Sequence, residues 1–585
     1  MERFGACSAS AMKGILAKSA LVPLPGCACG SIVAFDCLAR NSPVADIVII
    51  NPRFDISFWG MEHCMSMFGK RANLPVACLG LLAALVPDHH QVTLLDENVE
   101  DIDFDRLGRA DLVAITGMSI QGWRMIEIIE EVKSRGVMTV VGGAMATVEP
   151  EILEGVADVI FLGEADETWP QFLRQWEQGC HKRRYEQAEK TDLSTLPLPR
   201  VDLLKAERYM FGSLQISRGC PFTCEFCDII VTFGRRPRLK TTEQVLGELE
   251  AFLRAGLKML FVVDDNLIGN KKAIKPILRD IVSWQQERGY PLVFVTEASL
   301  DLAEDDELME LLGLANFQSV FIGIETPNED SLRETKKLQN VRPNAGTLLE
   351  RVHRVQAHGI DVWCGMIVGF DHDDPTIFDV MPKFLAEARI ATALIGMLHA
   401  IPTTPLYKRL KEEGRLSDDE GVDSIGTNVI PLGMSREQLR DGFVRVMQES
   451  YKPEAYFGRV DSQFIDQNFK FTLHQLPYWK SHRLNWMRRC LLNYIKFTVI
   501  SSRLMRLVPD EGLRTRYRRQ LWRVLRARWR EPHILFVYSL KVAFHYHYTA
   551  ITQTLSQVGE GSGSMPDAVR SLSRAKRRVP AQAAA

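Results

Sequence analysis

No apolar run in this chain reaches the roughly 18 uncharged residues that a membrane-spanning helix requires, so helical membrane spans are not expected. Cysteine is sparse, 12 in 585 residues, too few for a disulfide scaffold. There is no Gly-x-Gly-x-x-Gly turn to cradle a dinucleotide pyrophosphate, which disfavours a dinucleotide site. Wholesale disorder is excluded by 46% hydrophobic and 25% charged residues. Acidic residues are scarce in one place: residues 480–550 hold 3 of them against 16 Lys/Arg, a net of +13.

At about 150 residues per domain, 585 residues imply three or four folded units. The net charge of −2 conceals an acidic body, −18 over residues 1–479, joined to a basic C-terminal module. Residues 1–45 contain Cys7, Cys27, Cys29 and Cys37 among small residues with little periodicity. They lack a basic start and a continuous apolar core, so a signal peptide is not expected. No Cys or His pair at zinc spacing follows Cys27-x-Cys29. The segment reads as a poorly ordered extension.

From residue 46 the pattern changes. Apolar, β-rich runs at 46–51, 91–95, 111–116, 138–141 and 158–162 alternate with helical stretches such as 121–135, which Gly136 ends. Continuous buried strands between helices predict a parallel, doubly wound, flavodoxin-like sheet over residues 46–180. Its ligands belong at the carboxyl ends of the strands. The loops there hold Thr116, Gly117 and Ser119, then Gly142 and Gly143, then Gly163 and Glu164. The glycines admit a close backbone approach, and Thr116 and Ser119 can donate to a nucleotide-like tail.

A linker over 181–205 includes Leu196-Pro197-Leu198-Pro199. After it a short strand runs into Cys220-x3-Cys224-x2-Cys227. Thiolates at this spacing can hold three corners of a cubane iron–sulfur cluster and leave the fourth iron open. A zinc site wants a fourth ligand, and none lies close by. Strand and helix patterns then alternate to residue 415. Polar residues stand at the strand ends where a β/α barrel keeps its chemistry: Asp264-Asp265-Asn266, Thr296-Glu297, Glu325-Thr326 and His399. One Arg or Lys of the basic run Gly234-Arg235-Arg236-Pro237-Arg238-Leu239-Lys240 is expected to meet a cofactor carboxylate, a phosphate or an acidic substrate group, the alternative being a solvated charged turn. Cys364 reads as buried packing.

The three cysteines, with Phe226 in the aromatic slot before the last, resemble the signature of the radical S-adenosylmethionine superfamily. The sheet ahead of them resembles the cobalamin-binding domains of certain radical enzymes, and the likeness extends over most of residues 46–450. The resemblance implies a partial (β/α)6 barrel over 206–415, a 4Fe–4S cluster on Cys220, Cys224 and Cys227, and S-adenosylmethionine on the open iron. It makes Phe226, Asp264, Glu325 and Gly365 candidates for binding S-adenosylmethionine, although Val263-Asp264-Asp265-Asn266 replaces the superfamily's commoner Gly-Gly-Glu. It makes Thr116, Gly117, Ser119, Gly142, Gly143, Gly163 and Glu164 candidates for cobalamin. The cobalt-ligating motif of the best-known cobalamin domains is Asp-x-His-x-x-Gly. Asp88-His89-His90 only approaches it, so cobalamin held without a lower histidine is implied.

Helices are expected at 436–447, 484–507, 513–529 and 533–555, with an irregular aromatic stretch at 451–471 and a disordered tail at 556–585. Eight arginines between 514 and 530 alternate with Leu521, Trp522, Leu525 and Trp529. Three readings compete for the module over 416–555: nucleic-acid binding, a helical cap on the acidic body, and contact with an anionic membrane surface. No folded nucleic-acid motif is recognisable, and the membrane is favoured. A chain cut before Lys480 is expected to leave a stable barrel. Several phrases of the cluster region resemble one branch of these enzymes, containing hopanoid methylases and tetrapyrrole methylases or cyclases. The resemblance implies a C-methyltransferase that acts on a large apolar substrate through a 5′-deoxyadenosyl radical and methylcobalamin, and the basic module adds the expectation of a cytoplasmic protein peripheral to the inner face of the membrane. The resemblance also implies an external donor of the flavodoxin or ferredoxin kind. The alternatives are a radical cyclase or oxidoreductase on a tetrapyrrole, and a non-catalytic cobalamin or iron–sulfur sensor. The residues that carry the chemical step, and the substrate, are not identified.

Overall fold

The computed structural model describes residues 44–417, 426–471 and 473–559. The extension expected over residues 1–45 falls almost wholly outside them. Six parallel strands form the first sheet: β1 (Asp46–Asn51), β2 (Gln91–Asp96), β3 (Leu112–Thr116), β4 (Met138–Gly142), β5 (Val159–Leu162) and β6 (Arg184–Glu186), in the order β2-β1-β3-β4-β5-β6. Ile47, Val48, Ile49 and Ile50 of β1 are all at most 1% exposed, because helices cover both faces of a parallel sheet. The strand order reverses between β1 and β3, and a doubly wound sheet opens its ligand crevice there. β6 lies inside the stretch read as a linker. Three residues long and polar on either side of Tyr185, it carries no apolar run to betray it.

Residues 212–397 form the second sheet. Its strands are β7 (Gly212–Leu214), β10 (Met259–Val262), β11 (Val293–Glu297), β12 (Phe317–Glu325), β13 (Asp361–Val368) and β14 (Ala393–Met397). A two-stranded antiparallel pair, β8 (Ser217–Arg218) and β9 (Arg238–Leu239), brackets the cysteine loop. The six large-sheet strands lie in chain order, all parallel, with β7 and β14 at open edges: a partial barrel of six units.

The C-terminal helices are not an appendage. Ile534, Tyr538, Phe544 and Tyr548 of the helix Pro532–Gly559 share one continuous core with Val320 of β12 and Val362 of β13. A barrel cut before Lys480 would lose this shared core. The stretch read as irregular over 451–471 contains the helix Pro453–Asp461 and a π-turn, Ser462–Asp466, whose aromatic side chains pack inward. The last helix runs to Gly559, four residues into the expected tail, and the rest of the tail lies outside the described residues. Among the described residues no helix is long and apolar enough to cross a membrane.

Candidate functional site

The cysteine loop begins where β8 ends, and two buried carboxylates fix that end. Asp264 accepts from the backbone N–H of Ile216 (2.7 Å) and Ser217 (2.8 Å) and from the Ser217 hydroxyl (2.6 Å). Asp265 accepts from the Gly219 N–H at 2.7 Å. Gly219 has φ 95°, and a Cβ there would stand 2.9 Å from the Gly234 carbonyl oxygen, so only glycine delivers the chain into Cys220. Burial pushes the Asp264 carboxyl up to about 7 and that of Asp265 up to about 6. Asp264, a candidate for S-adenosylmethionine, thus has both carboxylate oxygens engaged by the strand that precedes the cysteines.

Around the thiols the chain supplies donors and one cation. Asn266 Nδ2 is 3.8 Å from Cys220 Sγ, and Gln339 Nε2 is 3.5 Å from Cys224 Sγ. Burial raises the thiol of Cys220 and pushes that of Cys227 up to about 12. Burial also works against the ammonium of Lys337, but Glu325 and the sulfurs of Cys224 and Cys227 outweigh it and hold Lys337 charged. Lys337 Nζ donates to Glu325 Oε1 at 2.6 Å and lies 5.8 Å from the centre of the Phe226 ring. The register between β12 and β13 shifts between Gly323 and Glu325, and Glu325 adopts φ 68°, a left-handed backbone costly for a non-glycine residue. A Cβ at Gly323 would stand 2.7 Å from Lys337 Nζ and closer still to Glu325. Gly365 lies beside the pair, its Cβ position 3.7 Å from Glu325 Oε2. Three thiols, two of them with a side-chain amide at the sulfur, and one ammonium nearby fit a 4Fe–4S cluster. Sequence reasoning named Phe226, Glu325 and Gly365 but missed Lys337 and Gln339, which lie beyond the strand ends on a loop without periodicity.

A cavity of about 1390 Å3 opens beside this group. Its floor is the carboxyl end of the first sheet: Thr116, Gly117 and Ser119 after β3, Gly142 and Gly143 after β4, and Gly163 and Glu164 after β5. Gly143 has φ 92°, and a Cβ there would stand 2.8 Å from Gly117 O and Thr116 Oγ1, so the two loops close only around a glycine. Asp264, Asp265 and Glu297 form the barrel side. Burial, then the charges of Asp265 and Asp264, pushes Glu297 up to about 8. Leu394, Ile395, Phe443, Met447, Ile551 and Leu555 add an apolar part of the wall. Glu62, also pushed up to about 8 by burial, and His399, kept neutral by it, add polar points. The loops at the switch point and the roominess of the cavity fit cobalamin. Cys220, Cys224, Cys227, Phe226, Glu325 and Gly365 do not line this cavity; they form the adjacent group around Lys337.

Within the basic run the fold itself occupies three of the cations. Arg238 pairs with Glu164 at 2.6 Å and Lys240 with buried Glu248, while Arg235 reaches the Pro221 carbonyl. Glu164 also accepts the Thr191 N–H at 2.7 Å, so this cobalamin candidate is tied to the cluster side by protein contacts. His89 and His90 sit at the amino-terminal edge of the first sheet, where both approach Glu177 Oε1 (2.7 and 2.8 Å) and His90 Nδ1 accepts from Ala45 N. A six-residue strand, about 20 Å long, separates them from the cavity.

Comparison with known proteins gives this geometry its family. Residues 74–173 match the B12 binding domain, residues 214–381 the Radical SAM superfamily, and residues 404–560 a domain of unknown function (DUF4070). An uncharacterized methyltransferase of Synechocystis sp. is 39% identical over 416 residues, 70% of this chain and 77% of that protein. The hopanoid C-2 methylase of Rhodopseudomonas palustris is 30% identical over 483 residues, 82% of this chain and 88% of that protein. Among solved structures, the cobalamin-dependent S-adenosylmethionine radical enzyme OxsB, with aqua-cobalamin and S-adenosylmethionine bound, shares the fold at a TM-score of 0.55 and 15% identity, over 92% of this chain and 84% of that one. The chain belongs to the cobalamin-dependent radical S-adenosylmethionine methyltransferases related to hopanoid methylases, enzymes that use a 4Fe–4S cluster, S-adenosylmethionine and cobalamin.

Proposed function

We propose that this enzyme methylates an unreactive carbon of a large, apolar, hopanoid-like lipid. One observation carries the reading: a single cavity joins the loops of the cobalamin-type sheet, the barrel strand ends and an apolar wall contributed by the C-terminal helices. When bound, the cluster with S-adenosylmethionine supplies a 5′-deoxyadenosyl radical, and cobalamin supplies the methyl group. The chain does the positioning. Asp264 and Asp265 hold the strand that delivers Cys220, Cys224 and Cys227 as ligands, and Lys337 balances their charge. Glu325, whose Oε2 has no partner among the described residues, offers one oxygen to S-adenosylmethionine, beside Phe226 and Gly365. Thr116, Gly117, Ser119, Gly142, Gly143 and Gly163 receive cobalamin, and Glu164 braces their sheet against β9. Glu297, protonated near neutral pH, adds no charge of its own to the place where a radical must meet a C–H bond. Leu394, Phe443 and Met447 exclude water, which protects a radical from side reactions.

In this division residues 46–180 hold cobalamin, 206–415 hold the cluster and S-adenosylmethionine, and 416–555 close the substrate side. The enzyme works in the cytoplasm with a low-potential donor of the flavodoxin or ferredoxin kind. The test is an anaerobic assay with hopanoid lipid, measuring 5′-deoxyadenosine and S-adenosylhomocysteine. Both products, with methylated lipid, are expected. 5′-Deoxyadenosine alone would make the enzyme an oxidoreductase or cyclase, and neither product would make it a sensor. Cys224→Ala should abolish 5′-deoxyadenosine formation; a comparable rate in that variant would overturn the cluster assignment.

A further inference from the structure

The helix Arg483–Leu507 has two apolar faces, and the fold uses one of them. Phe497, Ile500 and Leu504 are buried in the core they share with the last helix, and Asn493 approaches His533 on the same side. The opposite face carries Leu484, Met487, Leu491, Ile495 and Val499, spaced by three or four residues so that they stack in one stripe. They are 82, 66, 61, 49 and 42% exposed. A contiguous apolar row of this kind on a soluble surface marks a contact site. Aromatic rings continue it. The Tyr494 hydroxyl donates to the Trp529 carbonyl, which brings Trp529 beside the helix, and Trp522 stands seven residues earlier on the same face of its own helix. Both indoles are more than half exposed, at 55 and 56%.

Charge decides what covers the stripe. The helix carries six Lys/Arg and no Asp/Glu. Arg483, Arg488 and Arg506 are exposed on it, as are Arg518, Arg519 and Arg526 on the neighbouring helix. A second copy of the chain laid on this face would bring two sets of like charge together. An anionic lipid surface accepts all three features at once: aliphatic side chains at the acyl boundary, indoles at the interface, and guanidinium groups among the headgroups. We propose that the helix Arg483–Leu507, with Trp522 and Trp529 beside it, lies in the headgroup plane of an anionic bilayer. The last helix packs along it and carries Ile551 and Leu555 into the cavity wall, so the docked surface stands behind the substrate side of the site. The contact itself requires no turnover; its purpose, the delivery of an apolar substrate, rests on the function proposed above.

The test is sedimentation of the full-length, cofactor-loaded enzyme with vesicles of phosphatidylcholine containing about 30% phosphatidylglycerol, against pure phosphatidylcholine. Binding to the anionic vesicles, and release at about 0.5 M salt, are expected. Two variant pairs, Leu491→Glu/Ile495→Glu and Leu484→Glu/Met487→Glu, replace side chains already in solvent and should each weaken partitioning at least tenfold with unchanged circular dichroism. Ile152→Glu, 45% exposed on the first domain, should bind as the parent does. Failure of the parent to bind anionic vesicles overturns the proposal, as do stripe variants that bind like the parent. Stripe variants that convert a dimer to a monomer in solution also overturn it, and assign the face to a second copy. None of these outcomes depends on the methylation assay, so the two readings fail separately.

Discussion

Glu325 shows how one residue can combine strain, charge and crowding. Its backbone is left-handed, and its carboxylate meets Lys337 where a side chain at position 323 would collide with both. Lys337→Met would leave the Glu325 carboxylate, 7% exposed, without a counter-charge, and breaking a buried pair costs about 3–5 kcal/mol. That variant should retain less iron after anaerobic reconstitution, and Lys337→Met/Glu325→Gln should recover part of the thermal stability lost. Two buried acids make a pH prediction. Glu62 and Glu297 rise from 4.5 to about 8, so the folded chain keeps protons that the unfolded chain releases near 4.5. Native protein then binds more protons than unfolded protein between those values, and stability falls as pH rises through that window, levelling above about 8. Melting of the cofactor-free protein should show this slope, and Glu62→Gln should flatten it. An unchanged slope in the variant would place the protons elsewhere.

A buried ion pair adds to the shared core that holds the C-terminal helices to the barrel. Lys541 of the last helix donates to Asp361 of β13 at 2.6 Å, with both side chains at most 2% exposed. Trp363 and Gln463 donate to the same carboxylate. Lys541→Met should destabilise by about 3–5 kcal/mol in denaturant, and Asp361→Asn in that background should restore part of it. A chain ending before residue 480 should aggregate, because it uncovers the core face that Tyr538, Phe544 and Tyr548 fill. The cationic helix Glu511–Arg528 is likewise less free than its composition implies. Arg516, Arg523 and Arg528 pair with Glu454, Asp461 and Glu531, and Arg514 reaches the Val508 carbonyl.

Across the whole molecule, the distance between the two ends of the first sheet separates one histidine pair from the chemistry. His89→Ala/His90→Ala should leave cobalamin content and the cobalt spectrum unaltered, since the pair lies at the edge opposite the cavity. Loss of a nitrogen-ligand signature in that variant would sink this expectation. The two sheets meet through a charged seam. Arg218 pairs with Asp166 at 2.5 Å, and Arg238 with Glu164 at 2.6 Å. Glu164→Gln should therefore loosen the cobalamin sheet against the cluster loop, read as faster cobalamin loss on dialysis with the cluster still in place.

Strand periodicity was enough to place both sheets, because burial on two faces is a local constraint that leaves a local pattern, and the Cys-x3-Cys-x2-Cys spacing marked three thiols that the fold brings together. All five long runs of the first domain became strands within two residues of their expected bounds. Tertiary structure alone decided which charged groups are spent on the fold and which face a ligand. Asp264 turns to Ile216 and Ser217, Arg238 to Glu164, and Lys337 arrives beside cysteines 110 or more residues away in sequence. Such pairings depend on where whole sheets come to rest, and no periodicity records them. The short β6 and the burial of the C-terminal helices were hidden for the same reason: their stability comes from partners distant in the chain.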